Sequence, residues 1–381
     1  MLPRRGFLRD AAAAMAAASN CGRLNADDVA PSVPTVDERI KTAAGDAPLA
    51  MQFSGTSPEE CRRWQGEFSA KLRALLGPFD PPAKWNCVLQ RTVRLEDHTR
   101  EERVLVAQGV PPVPIYVLLP PKSPSGGQHL PGMLALHGHG IGGYDTVAGR
   151  DDIPELREEI ASQRADYGRQ LARRGYAVAV PCMTPFGRRL SPDVARRPKL
   201  IRDVDPCADT FVRLAILGKL LIAENLRDIL WTLAYLSSRE EVDADRVGCA
   251  GLSYGGRMTM LSTALEPRIR VAVIAGAMNC FQERIGRHYT CGSQTIPGLL
   301  PLGDVPEIGG LIAPRPCMWQ VGSQDKLLPP QWVDTIEQRI DRVYRALGVA
   351  DRVQIDRFTG KHEWHGAAAY PFLDRILRPA V

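Results

Sequence analysis

Arg246–Gly256, RVGCAGLSYGG, is a short apolar run that ends in Gly251-Leu252-Ser253-Tyr254-Gly255-Gly256 and passes into a segment compatible with a helix. A strand that turns this sharply into a helix holds its central residue in a strained backbone conformation. The close approach at the turn leaves no room for side chains at the flanking positions, so both are glycine. Ser253 is therefore expected at the carboxyl edge of a sheet with its hydroxyl exposed. The helix that starts at Tyr254 aims unpaired N–H groups and the positive end of its dipole at the same spot.

Working outward, short apolar runs alternate with helical patterns. Met133–Leu136, Tyr176–Pro181, Val247–Gly251, Val271–Ala275, Met318–Val321 and Val353–Phe358 read as strands. Helices are expected over about Glu155–Arg174, Phe211–Leu236, Tyr254–Leu265, Gln331–Leu347 and Ala367–Leu377. Such alternation with short connections means a mostly parallel sheet with helices on both faces, an α/β fold. Before it, Cys87–Leu119 alternates in the manner of antiparallel strands, and Ser57–Leu76 has helical spacing with Trp64, Phe68, Leu72 and Leu75 on one side. The fold is thus expected to occupy 38–381 as one domain, with a helical extension over about 38–85.

A serine hydroxyl is a poor nucleophile unless a base takes its proton and a third group orients that base. Val321-Gly322-Ser323-Gln324-Asp325 ends one strand in a carboxylate, and Phe358-Thr359-Gly360-Lys361-His362 ends the last strand in an imidazole. The order Ser253, Asp325, His362 is that of hydrolases with a nucleophile elbow. Asp334 and Asp304 are the alternative acids. His365 is the alternative base, set second because His362 follows its strand directly. The second oxyanion donor is expected from His137-Gly138-His139, with the backbone N–H of His139 acting beside that of Tyr254. His137 is expected to be structural. HEWH is one residue short of the spacing that binds zinc on a helix, and His137-x-His139 has no companion ligands in the sequence, so neither metal nor cofactor is expected.

Hydrophobic content of 44% and charged content of 24% describe a globular chain, and a net charge of +5 spread over 381 residues gives no basic patch for nucleic acid. No apolar run is long enough to span a bilayer. Arg4-Arg5-Gly6-Phe7-Leu8-Arg9 before the alanine-rich Ala11–Ala18 resembles a bacterial twin-arginine signal, which implies a leader and linker over 1–37 and a periplasmic or extracellular location. Cys21 follows Ser19-Asn20, a poor match to a lipidation signal. The nine cysteines show no metal-type spacing. Cys182, Cys249 and Cys317 sit in apolar strands as small hydrophobes, and Cys280 with Cys291 flank a loop where a bond is an option.

Several segments, in order, resemble the α/β-hydrolase superfamily, and within it the bacterial dienelactone-hydrolase and acetyl-xylan-esterase-like group. They are LHGHG, RGYAVAVP followed by PFGRR, NLRDILWTLAYLSSREEVDADRVGCAGLSYGG, HYTC with IPGLL, LIAPRPCMWQVGSQD and FTGKHEWHG. The resemblance implies a serine esterase without cofactor, acting through an acyl-enzyme on acetylated carbohydrate or other small esters, with Ser253, Asp325 and His362 in the family roles. Cys182 stands where the group commonly has aspartate, and the nucleophile is serine where true dienelactone hydrolases use cysteine. Two other readings compete: a peptidase of the prolyl-oligopeptidase kind, for which the roughly 110 residues ahead of the sheet are too few to form a propeller, and a non-catalytic binding protein of the same fold. Thr184–Cys207 and Asn279–Leu311 follow strands at the edge where ligands bind, and are expected to roof the site. Phe186, Tyr289 and Trp364 are candidates for lining it, with core packing as the alternative for each; Arg188 and Arg189 would either meet an acidic substrate or lie on the surface.

Overall fold

The computed structural model describes residues 33–121, 129–140, 142–190, 205–287 and 291–378. The twin-arginine-like stretch, Cys21 and Tyr289 lie outside them. The chain divides into a unit ending at Thr42 and a body over Ala43–Val381. Helix α1 (Val36–Gly45) leads into the body, and α2 (Pro58–Leu76) follows. Ser57 closes a capping box with Glu60, which explains why α2 begins where it does. Its buried face is Trp64, Phe68, Leu72 and Leu76, so the stripe ends on Leu76 rather than on the expected Leu75.

Strands β1 (Asn86–Arg94), β2 (Thr99–Ala107) and β3 (Val110–Leu119) form the expected antiparallel meander. The six that follow are β4 (Leu130–Leu136), β5 (Ala177–Pro181), β6 (Val242–Leu252), β7 (Ile269–Ala275), β8 (Cys317–Gly322) and β9 (Val353–Phe358). All nine join one sheet in the order β1-β2-β3-β5-β4-β6-β7-β8-β9. β3 meets β5 antiparallel, and from β5 to β9 every pairing is parallel. Strands covered on both faces read as uninterrupted apolar runs, and β4, β5 and β8 are buried along their whole length.

Between the strands run α3 (Arg157–Gln163), α4 (Tyr167–Arg173), α5 (Pro206–Ile216), α6 (Leu221–Ser237), α7 (Tyr254–Leu265), α8 (Phe281–Gly286), α9 (Val305–Gly310), α10 (Pro330–Ala346) and α11 (Gly366–Leu377). Alternate residues of each strand feed two apolar layers. Leu134, Leu136, Ile274 and Trp319 pack with α2, α6, α7 and α10, while Met133, Ala135, Val178 and Leu252 pack with α4 and α11.

Two expected helices are broken. The one over Glu155–Arg174 is split at Arg164, left-handed with φ 51°. The bend lets α4 bring the Tyr167 phenol to the Leu136 carbonyl, 2.5 Å away. The one over Phe211–Leu236 starts earlier, at Pro206 under an Asp205 cap, and is interrupted at Gly218, φ 71°. Neither break carries a proline; Gly218 is itself a local stop signal, being free to adopt the left-handed conformation, whereas Arg164 carries none. No helix among the described residues is long and apolar enough to cross a membrane.

Candidate active site

β6 ends at Leu252, and Ser253 stands alone between it and α7 at φ 63°, ψ −119°, a conformation that costs a non-glycine residue about 1–3 kcal/mol. The neighbours explain why it persists. A Cβ at Gly251 would lie 2.4 Å from the Gly255 carbonyl carbon, and one at Gly255 only 1.8 Å from the Leu136 oxygen. The strand, turn and helix are thus in backbone contact, as the glycine pattern requires. The Ser253 amide donates to the Ala275 carbonyl at 2.8 Å, tying the serine to the end of β7.

The loops after β8 and β9 are stapled together. Ser323 N–H donates to Phe358 O at 2.9 Å and Gln324 N–H to Gly360 O at 2.8 Å, and a Cβ at Gly322 would meet the Lys361 oxygen at 2.2 Å. This contact delivers the acid to the imidazole: His362 Nδ1 donates to Asp325 Oδ2 at 2.6 Å. The carboxylate is itself fixed, since its Oδ1 accepts from Leu327 N–H at 2.9 Å. The His362 ring lies over Gly276, where a Cβ would stand 2.7 Å from Cε1. Gly276 follows Ala275, the residue that anchors the Ser253 amide, so the imidazole and Ser253 are both held at the carboxyl end of β7. With Nδ1 committed to Asp325, Nε2 carries the lone pair, and it has no hydrogen-bond partner among the described residues. Catalytic hydrogen bonds commonly close only when substrate binds.

His365 is held elsewhere. Its Nδ1 meets Asp356 Oδ2 at 2.7 Å, its ring stacks on Phe358, and its backbone is bracketed by Gln320. The alternative acids are likewise occupied. Asp304 accepts from the N–H groups of Phe281, Gln282 and Val305, and Asp334 pairs with Arg357 at the surface.

The loop after β4 runs against Ser253. A Cβ at Gly138 would sit 3.3 Å from the Ser253 Cβ and 3.9 Å from its Oγ, so the His137–His139 loop passes close to the hydroxyl. His137 is fully buried and structural, as expected. Its Nδ1 donates to Gly138 O at 2.8 Å and its Nε2 accepts from Met183 N–H at 2.9 Å, so the ring is neutral, and burial drives its pKa down to about 4. The exposed ring of His139 packs against Phe186 and Tyr254 at 5.3 and 5.0 Å between centroids. The Tyr254 phenol is buried and accepts from Asn225 Nδ2 at 2.8 Å.

Phe186 therefore borders the site, whereas Trp364 does not. It is 1% exposed, stacked on Tyr167 at 4.7 Å, and its indole donates to Tyr370: it belongs to the core. Arg189 is bound to the buried Asp228 and the Cys182 carbonyl, and Arg188 reaches Gln90, so both serve the scaffold. Cys280 is buried beside Asp304 while Cys291 lies next to Cys207, which removes the pairing considered between Cys280 and Cys291.

Asn279, Arg284 and Gln294 fall in Asn279–Leu311, the segment expected to roof the site, whereas no such expectation covers Arg257. A recess beside Ser253 is walled by Arg257, Asn279, Arg284 and Gln294, with Gly276 and Leu327 at its edge. Arg257 Nη2 donates to the Asn279 carbonyl at 2.9 Å, and Arg284 Nη1 donates to Gln294 at 2.7 Å. Burial, reinforced by the charge of Arg284, lowers the Arg257 pKa to about 9. A signal existed: Arg257 lies one turn beyond Ser253 on a helix that is otherwise uncharged.

Residues 219–279, from the start of α6 through the nucleophile turn, match the model of the prolyl oligopeptidase family. Over 307 residues the chain is 30% identical to the protein named "Putative hydrolase YtaP" of Bacillus subtilis (strain 168), covering 78% of this chain and 94% of that one. Solved structures share the fold. A "putative acetyl xylan esterase" from Bacteroides fragilis superposes with a TM-score of 0.69 at 19% identity, over 86% of this chain and 83% of its own. A glucuronoyl esterase from Solibacter usitatus gives 0.58 at 17%, over 84% and 93%, and an acetyl xylan esterase from Paenibacillus sp. R4 gives 0.54 at 18%, over 88% and 99%.

Proposed function

The chain belongs to the α/β-hydrolase superfamily, and we propose that it cleaves carboxylic esters, acetylated carbohydrates among them, through an acyl-enzyme on Ser253. The observation that carries this reading is the 2.6 Å bond between His362 and Asp325, held over Gly276 at the edge where Ser253 stands half-buried.

His362 Nε2 takes the proton of Ser253 as Oγ attacks the ester carbonyl. The oxyanion forms between the N–H groups of Tyr254 and His139, where the end of α7 favours negative charge. Collapse of the tetrahedral species breaks the bond to the alcohol oxygen, which leaves with the proton from His362. Water, deprotonated by the same nitrogen, then attacks the acyl group, and Ser253 regains its proton as the acid departs. Asp325 fixes the Nδ1–H tautomer and stabilises the imidazolium in both halves of the cycle.

The carbohydrate ester assignment draws on the printed names of the Bacteroides, Solibacter and Paenibacillus proteins. The partial match to the prolyl oligopeptidase family supports a peptidase as the second reading. A panel of acetylated xylo-oligosaccharides, glucuronate esters, aryl acetates and matched peptide amides separates the two. Turnover of esters with none on amides is expected, and amide cleavage at comparable kcat/KM would replace the esterase reading. We further propose export through Arg4-Arg5, supported by the basic stretch before an alanine-rich run. A reporter fused to the leader should lose export when both arginines become lysine.

A further inference from the structure

His139 also takes part in a second cluster that ester hydrolysis leaves unused. Its Nε2, Cys207 Sγ and Cys291 Sγ all lie within 4.8 Å of one another. His139 Nε2 is 3.1 Å from Cys291 Sγ, and the Ser293 hydroxyl is 3.1 Å from that sulfur and 3.3 Å from that nitrogen. The three ligand-type side chains come from the loop after β4, the first turn of α5 and the loop before α9. The backbone is packed to bring them together: a Cβ at Gly292 would stand 2.5 Å from the Cys207 carbonyl, and Thr295 Oγ1 donates to Cys291 O at 3.0 Å.

We propose that His139, Cys207 and Cys291 form a binding site for a soft divalent cation, zinc above all, with Ser293 or a water as fourth ligand. Tetrahedral zinc with bonds of about 2.3 Å to sulfur and about 2.0 Å to nitrogen places sulfurs about 3.8 Å apart and sulfur about 3.6 Å from nitrogen. His139 Nε2 stands 3.1 Å from Cys291 Sγ and all three ligand atoms lie within 4.8 Å of one another, close to these separations. One imidazole and two thiols match the preference of zinc over harder cations, and the exposed edge of His139 gives the ion a route in. A bound ion would tie the loop carrying the His139 amide to the loop before α9.

The test uses the full chain, reduced and free of oxygen, titrated with cobalt(II) and then with zinc. The site predicts one cobalt per chain with thiolate-to-cobalt charge-transfer absorption, displaced by one equivalent of zinc. Cys207→Ser and Cys291→Ser should each weaken binding by more than about 100-fold, beyond the loss of a supporting hydrogen bond. Absence of the charge-transfer band in the reduced wild type, or uptake unchanged in both variants, overturns the proposal. So does a wild type whose two thiols vanish reversibly on oxidation yet bind no cobalt when reduced, since the pair is then a disulfide partnership and not a metal site. The wild-type titration stands even if a variant fails to fold, and none of these outcomes depends on ester cleavage.

Discussion

Replacing Asp325 by asparagine changes one atom and should nearly abolish turnover. The Leu327 N–H points at Oδ1 from 2.9 Å and requires an acceptor there, so the amide oxygen of Asn must take that position. The amide NH2 then faces His362 Nδ1, which now has to accept, and the ring's proton moves to Nε2. A protonated Nε2 in the neutral ring cannot remove the serine proton. The equivalent exchange in a serine triad costs about 10⁴ in kcat, or about 5 kcal/mol of transition-state stabilisation. The geometry here calls for a loss of that order, with KM for p-nitrophenyl acetate changed little because Asp325 is buried under the histidine. Steady-state kinetics beside thermal unfolding measures both. A folded variant with kcat within tenfold of wild type would refute the orienting role and reopen the choice of acid.

His362→Gln and His365→Gln should part company: the first is expected to lose turnover by about 10⁴ or more, the second to stay within several-fold, because His365 answers to Asp356. Gly276→Ala adds a Cβ 2.7 Å from His362 Cε1 at φ 61°, so the ring must move and kcat should fall by about 100-fold, measurable on the folded variant. The His137 pKa is about 4 against an ordinary 6.5, so the unfolded chain takes up a proton that the folded chain refuses. The stability this group contributes is full above pH 6.5 and is lost as pH falls toward 4, by about 3 kcal/mol. Urea midpoints measured across that range should show the decline, and His137→Gln should flatten it; an unchanged slope would mean that other groups set the acid limit.

The parts of this molecule that were legible in the sequence are those whose physics is local. Glycines at 251 and 255 announced a turn whose atoms touch, and uninterrupted apolar runs announced strands covered on both faces. The order of acid and base then placed Asp325 and His362 on neighbouring strand ends, where the structure joins them. What escaped depends on contacts between distant segments. Arg164 breaks a helix whose periodicity continues through it, because tertiary packing sets where the chain turns. Trp364 stands two residues beyond His362, yet the bend after β9 sends it into the layer with Tyr167. Arg257 with Asn279, and Cys207 with Cys291, are joined by loops whose sequences give no spacing rule. Side chains gathered in this way become visible only once the loops are folded over the strand ends.

Ester cleavage here rests on a single activated hydroxyl, and active-site phosphonylation tests for that hydroxyl most directly. Incubation with a fluorophosphonate, followed by proteolysis and mass spectrometry, should place one adduct on Ser253 in wild type. Ser253→Ala should carry none and Asp325→Asn should label far more slowly. Labelling at another serine, or a folded wild type that takes up no probe, would contradict the assignment of nucleophile and base.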